Sequence, residues 1–503
     1  MKKNLLTKGF IASTISLASI ASLLFTPQIV VAKTKTGPNS STDPYILPAN
    51  KSTLISSILT VGDSVNAKGD GTPYRMVGIP DGLGAYDNGD GTFTLLMNHE
   101  LAGTVGITRT HGATGAFVSK WIIRKNNLRV LHGEDLIREV VTWNLAGYYN
   151  PPTQAITFNR FCSADMQDYQ AFFDTNTGLG YNSRLFMNGE ESGAEGRAFA
   201  HTLGGTSYEL PALGKFSWEN SLAHPNAGTA TVVVGLDDST GGQIYIYSGT
   251  KTNAGNPVEM AGLTNGNLYG LKVLSYTVED PLAGIPSAVP FALHNLGNVT
   301  ALTGAQLEEQ SNANGLTKFL RPEDGAWDPS NLNDFYFVTT ASFTGRSRLW
   351  RLRFNNAADP AAGGTISMLL DGAEGPKMMD NITVDRRGYV FIQEDPGGQD
   401  YLAKIWRYNI KTRELVEFAQ HDPNRFAPGA PNFLTIDEES SGIVDVSNIL
   451  GDGWMLMTTQ AHYNANDAEL VEGGQLMAMR YRVPRNEDAP NEPAQESAVE
   501  LSE

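Results

Sequence analysis

The chain has one cysteine, Cys162, in 503 residues, so no intrachain disulfide can form and stability has to come from a large core. Common hydrolase signatures are missing too: there is no G-x-S-x-G elbow, no G-K-[ST] phosphate loop, no H-E-x-x-H and no C-x-x-C pair. Their absence argues against serine hydrolases, nucleotide hydrolases and ordinary zinc sites. Positive charge is scarce, with 37 Lys and Arg against 54 Asp and Glu for a net charge of −17, which argues against nucleic acid as a partner. Long amphipathic helical periodicity is scarce as well.

Residues 1–32 read as an address. Lys2, Lys3 and Lys8 precede an apolar stretch over 10–25, and Val30-Val31-Ala32 offers a small-residue cleavage site before Lys33. This pattern is a Sec-type signal peptide and implies a periplasmic or secreted protein. Ser13, Thr14, Ser16, Ser19 and Ser22 dilute the apolar run, which is short for a spanning helix, so an uncleaved membrane anchor is the weaker reading and no membrane span is expected in the mature chain. Removal takes three lysines and no acid and moves the charge to −20. Such a protein repels a phosphorylated substrate unless bound cations or arginines reverse the field locally.

After a polar lead at 33–50, turn dipeptides recur: Asp70-Gly71, Asp81-Gly82, Asn88-Gly89, Asp90-Gly91, Asn265-Gly266, Asp371-Gly372 and Asp452-Gly453. Between them lie short runs rich in Val, Ile, Tyr, Phe and Trp, the pattern of an all-β protein. Arg348-Leu349-Trp350-Arg351-Leu352-Arg353-Phe354 repeats as Lys404-Ile405-Trp406-Arg407-Tyr408-Asn409-Ile410. Upstream, Phe335-Tyr336-Phe337-Val338 matches Tyr389-Val390-Phe391-Ile392, and Glu323 matches Asp380. Val232 to Asp238 with Gln243-Ile244-Tyr245-Ile246-Tyr247 reads as a third copy of an inner strand and its neighbour. A several-stranded repeat of this size without helix is the mark of propeller blades. Runs near 95, 185, 232, 336, 390 and 455, taken as inner strands, predict a six-bladed β-propeller as a single domain over 51–485. The long stretch 101–184 predicts a helical or loop insertion in the N-terminal half, with helix at 134–141 and 164–173. An acidic disordered tail is expected at 486–503. Two similar hairpins in an unrelated sandwich are the alternative.

Several runs stop at acidic or amide clusters: Leu95-Leu96-Met97 before Asn98-His99-Glu100, Leu185-Phe186-Met187 before Asn188-Gly189-Glu190-Glu191, and Val390-Phe391-Ile392 before Gln393-Glu394-Asp395. Carboxylates from equivalent strands would meet in one place, where only cations make them tolerable. The candidate metal ligands are Glu100, Glu190, Glu191, Glu323, Asp380 and Glu394, with Cys162 and His462 added. Cys162 is otherwise a small buried hydrophobe and His462 an ordinary hydrogen-bonded histidine. Asp237 and Asp238 run into Ser239-Thr240-Gly241-Gly242 and read equally well as turn residues. Arg321, Arg197 and Arg160 supply guanidinium forks for phosphate oxygens, or else ion pairs that hold the carboxylates.

Assembled, these residues resemble the PhoX-type alkaline phosphatases. The resemblance runs from about Tyr74 to about Tyr463. It rests on Met97-Asn98-His99-Glu100, Asn188-Gly189-Glu190-Glu191, Arg321-Pro322-Glu323-Asp324-Gly325-Ala326-Trp327-Asp328-Pro329, Asp380-Asn381 with Asp385-Arg386-Arg387-Gly388, and Gln393-Glu394-Asp395. It implies a six-bladed propeller with calcium and iron at its axis that hydrolyses phosphate monoesters without a serine nucleophile, and it assigns Glu100, Glu190, Glu191, Glu323, Asp380 and Glu394 to the metal shell. Where that family carries a cysteine directly before the paired glutamates, this chain has Gly189; Cys162, from an adjacent loop, is the available substitute. The expected partner is a small phosphorylated substrate, and the expected state a monomer. A non-catalytic calcium-stabilised binding module and a calcium-dependent lactonase or esterase are the alternative functions.

Overall fold

The computed structural model describes residues 33–482. The signal peptide expected at 1–32 and the acidic tail expected at 486–503 lie outside the described residues. The fold is all-β in a propeller arrangement of four separate blade-like sheets and one nine-stranded sheet. Six strands line its middle: β1 (Pro80–Asp87), β2 (Phe161–Asp165), β3 (Trp218–Ala223), β4 (Pro322–Trp327), β5 (Met379–Val384) and β6 (Glu438–Asp445). Each packs against the next, and β6 against β1, so that they close a ring. The nine-stranded sheet carries β3 at one edge and β4 at the other, and Val289–Gly297 joins its two halves.

The apolar runs found in the sequence are not the innermost strands but the second ones. Thr92–His99, Leu185–Glu190, Ala230–Asp237, Asp334–Thr339, Tyr389–Glu394 and Trp454–Asn464 each pair antiparallel with the inner strand before them. Sheets cover both of their faces, so alternate side chains feed different cores. Phe93, Leu95 and Met97 join Leu456, whereas Leu96 joins Phe186. Val232 and Val234 join Phe335, whereas Val233 joins Leu185. Burial on both faces is what makes these strands read as unbroken apolar runs. The repeat at 348 and 404 is the third strand of two sheets, in equivalent registers.

Two sequence expectations are corrected. Segment 134–141 is strand and turn, and 164–173 is the end of β2, a loop and a single 3-10 turn at Tyr169–Ala171. The insertion is therefore made of loops and hairpins. The longest described helix is instead Gly304–Ala313, started by a capping box in which Thr303 and Gln306 satisfy each other's backbone N–H groups. The lead at 33–50 is also part of the fold: Lys33–Thr36 pairs with Thr53–Thr60, and Ile46–Pro48 with Leu415–His421. Thr53–Thr60 itself pairs with Glu472–Tyr481, so the sheet that begins with β6 is completed by the N-terminal end of the chain. Among the described residues, no helix is long and apolar enough to cross a membrane.

Inside the nine-stranded sheet, Arg348 and Glu279 form a fully buried ion pair at 2.8 Å. Glu279 also accepts from Thr339 Oγ1 and the Leu320 N–H, so its oxygens are satisfied. Such a pair adds little net stability while complete, but removing one partner strands a charge. We expect Arg348→Met to destabilise by about 3–5 kcal/mol, and Arg348→Met with Glu279→Leu to recover most of that loss, read as urea midpoints.

Candidate metal centre

The second residues of the inner strands are Asp81, Cys162, Glu219, Glu323, Asp380 and Glu439, and all are buried or nearly so. In β1 to β5 the break in pairing register spans this position, as between Pro80 and Leu83 or Phe161 and Ala164. A bulge re-aims the side chain, here into the ring. A second layer comes from the residues that end the second strands: Glu100, Glu191, Asp238, Thr340, Asp395 and His462. Each donates its backbone N–H, at 2.9–3.0 Å, to the carbonyl preceding the neighbouring inner strand: Ile79, Arg160, Ser217, Arg321, Met378 and Asp437. Four of those six carbonyl residues, Ile79, Arg160, Arg321 and Met378, have φ between 42° and 61°. Side chains rarely adopt that conformation, which costs roughly 1–3 kcal/mol at each and concentrates at functional sites.

These layers bring nine carboxylates together: Asp81, Glu100, Glu191, Glu219, Asp238, Glu323, Asp380, Asp395 and Glu439. Three overlapping groups have ligand atoms within 4.8 Å of one another: Asp81, Glu100 and Cys162; Cys162, Glu191 and Glu219; and Glu219, Glu323 and Asp380. Cys162 and Glu219 each belong to two, so the groups form one line. Gln460 Nε2 donates to both Asp81 and Glu100 at 3.0 Å, and Ser163 Oγ donates to Glu219 at 2.5 Å. Arg160 bridges Glu100 at 2.7 Å and Glu191 at 2.5 Å. Arg321 forks onto Asp238 with two bonds of 2.8 Å and reaches Glu323 at 2.9 Å. Both guanidiniums are partly exposed, at 45% and 30%, above carboxylates that are nearly closed to solvent.

Burial and then mutual repulsion set the protonation of this cluster. Burial first, and Glu100 second, push Asp81 up to about 8. Burial with carboxylate neighbours likewise raises Glu191, Glu219, Glu323, Asp380 and Glu439 well above the usual range. The buried Cys162 thiol is also driven up. Three cations, Arg160, Arg321 and His462, cannot balance nine carboxylates, so the remainder must hold protons or bind metal. Glu323 Oε1, Asp380 Oδ1 and Gln460 Oε1 are buried without a hydrogen-bond donor; Arg321 lies close to the first, but in a geometry that is not a hydrogen bond. Unpaired oxygens among hard donors fit calcium, and the thiol shared by two of the groups fits a transition metal.

Of the residues singled out in the sequence, Glu100, Glu191, Glu323, Asp380, Cys162, Arg160 and Arg321 come together here. Glu190 and Glu394 do not. Glu190 is held by Arg197 through two bonds of 2.7 Å, which also takes Arg197 away from the cluster and over the ring of Phe199. Glu394 accepts from the Lys377 and Lys404 N–H groups, Tyr401 Oη and Trp406 Nε1, which satisfies both of its oxygens. Successive residues of a strand face opposite ways, so the inward carboxylates are the next ones along, Glu191 and Asp395. His462 reaches the second layer as a cation. Burial opposes its charge, but Glu439 at 3.8 Å and the hydrogen bond to Glu472 at 2.6 Å outweigh that and push it up to about 11. Asp81, Glu219 and Glu439 escape sequence reasoning, although Asp81 and Glu219 stand where Glu323 and Asp380 stand in their own strands, and Asp238, which also read as a turn residue, belongs to the cluster.

No family model and no curated protein matches the chain. Its fold is nonetheless that of a known structure. A Pseudomonas fluorescens PhoX in complex with vanadate, a transition state analogue, superposes with a TM-score of 0.63 over 90% of this chain and 98% of that one, at 11% identity. At that identity the likeness shows the fold alone. A Xanthomonas campestris gluconolactonase also matches, at 10% identity over 81% of this chain and 99% of that one, but its TM-score of 0.30 carries no argument. Gly189 is explained locally: a Cβ there would lie 2.3 Å from Trp218 Cβ, so no cysteine fits at that position, and the chain's thiol enters the cluster from β2 instead.

The raised acids fix the sign of the pH response. A carboxyl at about 8 in the folded chain and near 3.8 unfolded favours folding while protonated, and that contribution is lost as pH rises from about 4 to about 8. We expect the melting temperature in chelator to fall across this window and the fall to vanish in excess calcium, since cations bind the ionised form. A flat profile in chelator would contradict the clustering of these acids.

Proposed function

We propose that this chain is an exported, metal-dependent phosphoric ester hydrolase acting on phosphate monoesters first and diesters second. In this reading the nine-stranded sheet is two blades joined through Val289–Gly297, which makes the protein a six-bladed propeller around an axial calcium cluster, with iron beside Cys162 as a variant of it. The observation that carries it is the line of buried carboxylates capped on the solvent side by Arg160 and Arg321. Asp81, Glu100, Cys162, Glu191, Glu219, Glu323 and Asp380 would hold the cations. Once bound, these supply Lewis acidity and neutralise charge on the phosphate.

The protein's own groups account for the rest. Arg160 and Arg321 meet an incoming anion before the carboxylates do and overcome the repulsion of an acidic protein. With Glu100, Glu191 and Glu323 engaged by cations, Arg160 and Arg321 would be free to turn guanidinium donors onto the phosphate oxygens and hold them in place. Gln460 Nε2 fixes the oxygens of Asp81 and Glu100, and Ser163 Oγ, itself bonded to Asn381 Nδ2 at 2.6 Å, fixes Glu219. A second reading, a calcium-stabilised binding module without catalysis, draws on the same arginines, because Nε and Nη2 of each are paired with carboxylates in this structure.

Elemental analysis paired with p-nitrophenyl phosphate hydrolysis separates the two. We expect bound calcium, activity abolished by chelation and restored by calcium, a lower metal content in Glu219→Gln, and a loss of about 10²–10³-fold in kcat/KM for Arg321→Ala. Metal without turnover favours the module. Turnover that survives chelation and Glu323→Gln removes the site assignment altogether.

A further inference from the structure

A cavity of about 490 Å³ lies on the other end of the sheets from the carboxylates. Ile449 and Leu450 follow the end of β6 remote from Glu439, and Leu128 follows Arg124, whose partner Thr92 begins the strand that ends near Glu100. Leu128 and Ile449 are buried at its base, and Leu450 and Trp454 are half-buried beside them. The opposite wall is the segment from Lys35 to Pro38, fastened to the next sheet by Asn39 Oδ1, which accepts the Val130 N–H at 2.9 Å.

The charges at this cavity have one sign. Lys35, Lys125 and Arg480 line it, and among the described residues no carboxylate does. Arg480 stands over the Trp454 ring at 5.5 Å, and Lys125 is paired only to the exposed Asp87. An adjoining cleft of about 340 Å³ shares Arg480 and adds Lys33, Lys51 and Arg482, again without a described carboxylate. In a chain of net charge −17, so local a basic rim around an apolar slot is complementary to one kind of ligand. We propose that the cavity binds an anionic amphiphile, with its alkyl chain or ring on Leu128, Ile449, Leu450 and Trp454 and its acidic head on Lys35, Lys125 and Arg480. None of these residues belongs to the metal centre, so this assignment stands independently of the hydrolase reading.

The test is calorimetric and fluorescence titration of the full chain with decanesulfonate below its micelle concentration, beside methanesulfonate and decyltrimethylammonium. Decanesulfonate carries no phosphate to hydrolyse. The expected result is one saturable decanesulfonate site whose fluorescence change is lost in Trp454→Phe and whose affinity falls about tenfold or more in Lys35→Ala with Arg480→Ala. The melting temperature of each variant verifies folding. Equal affinity for decyltrimethylammonium, equal affinity for methanesulfonate, or indifference to the lysine and arginine changes overturns the proposal. So does binding that appears only after the acids at 487, 488, 492, 496, 500 and 503 are replaced by amides, which would assign the cavity to the chain's own acidic segment.

Discussion

Like charges gathered where water is excluded dominate this molecule. Nine carboxylates converge inside a ring of strands whose outer faces are sealed by apolar cores. Their mutual repulsion is unfavourable at any protonation state except one that adds positive charge or protons. The backbone tolerates the arrangement because every residue of the second layer is tied by its own N–H to a carbonyl of the adjacent inner strand. Those six ties are neutral and pH-independent, so the frame persists while the charges within it change.

The frame also explains why single-residue offsets decide the chemistry here. Glu190 and Glu191 are neighbours with opposite fates: one is closed off by Arg197, while the other faces the cluster and Arg160. Glu394 and Asp395 repeat the contrast. The left-handed backbone at Arg160 and Arg321 belongs to the same design, because it turns the chain directly before β2 and β4 and lets a guanidinium cross above the carboxylates.

The architecture was legible because the second strands are buried on both faces and advertise themselves as apolar runs. The inner strands were not, since Pro80-Asp81-Gly82 or Trp218-Glu219-Asn220 carry polar side chains toward a charged interior and resemble turns. Half of the cluster could therefore be found by following apolar runs to their ends, and the other half could not. Glu323 and Asp380 were recovered only because their two repeats are similar enough to align. Asp81 and Glu219 share one spacing to their second-layer residues, Glu100 and Asp238, but it is longer than in the two repeats that align, which hides the correspondence. Local helical character at 134–141 and 164–173 gave way to pairing with neighbouring strands, a tertiary effect that residue propensities do not contain.

The strand Thr53–Thr60 lies beside Glu472–Tyr481, more than four hundred residues later in the chain. A ribosome delivers the first of these long before the second, so the circle stays an open arc until the last sheet emerges. During that interval the carboxylates of β1 to β5 have no enclosed interior to share and remain hydrated and separate. The enclosed interior that makes counter-charge necessary therefore exists only once the last strands are in place, so the closing of the circle and the crowding of its acids belong to the same late stage.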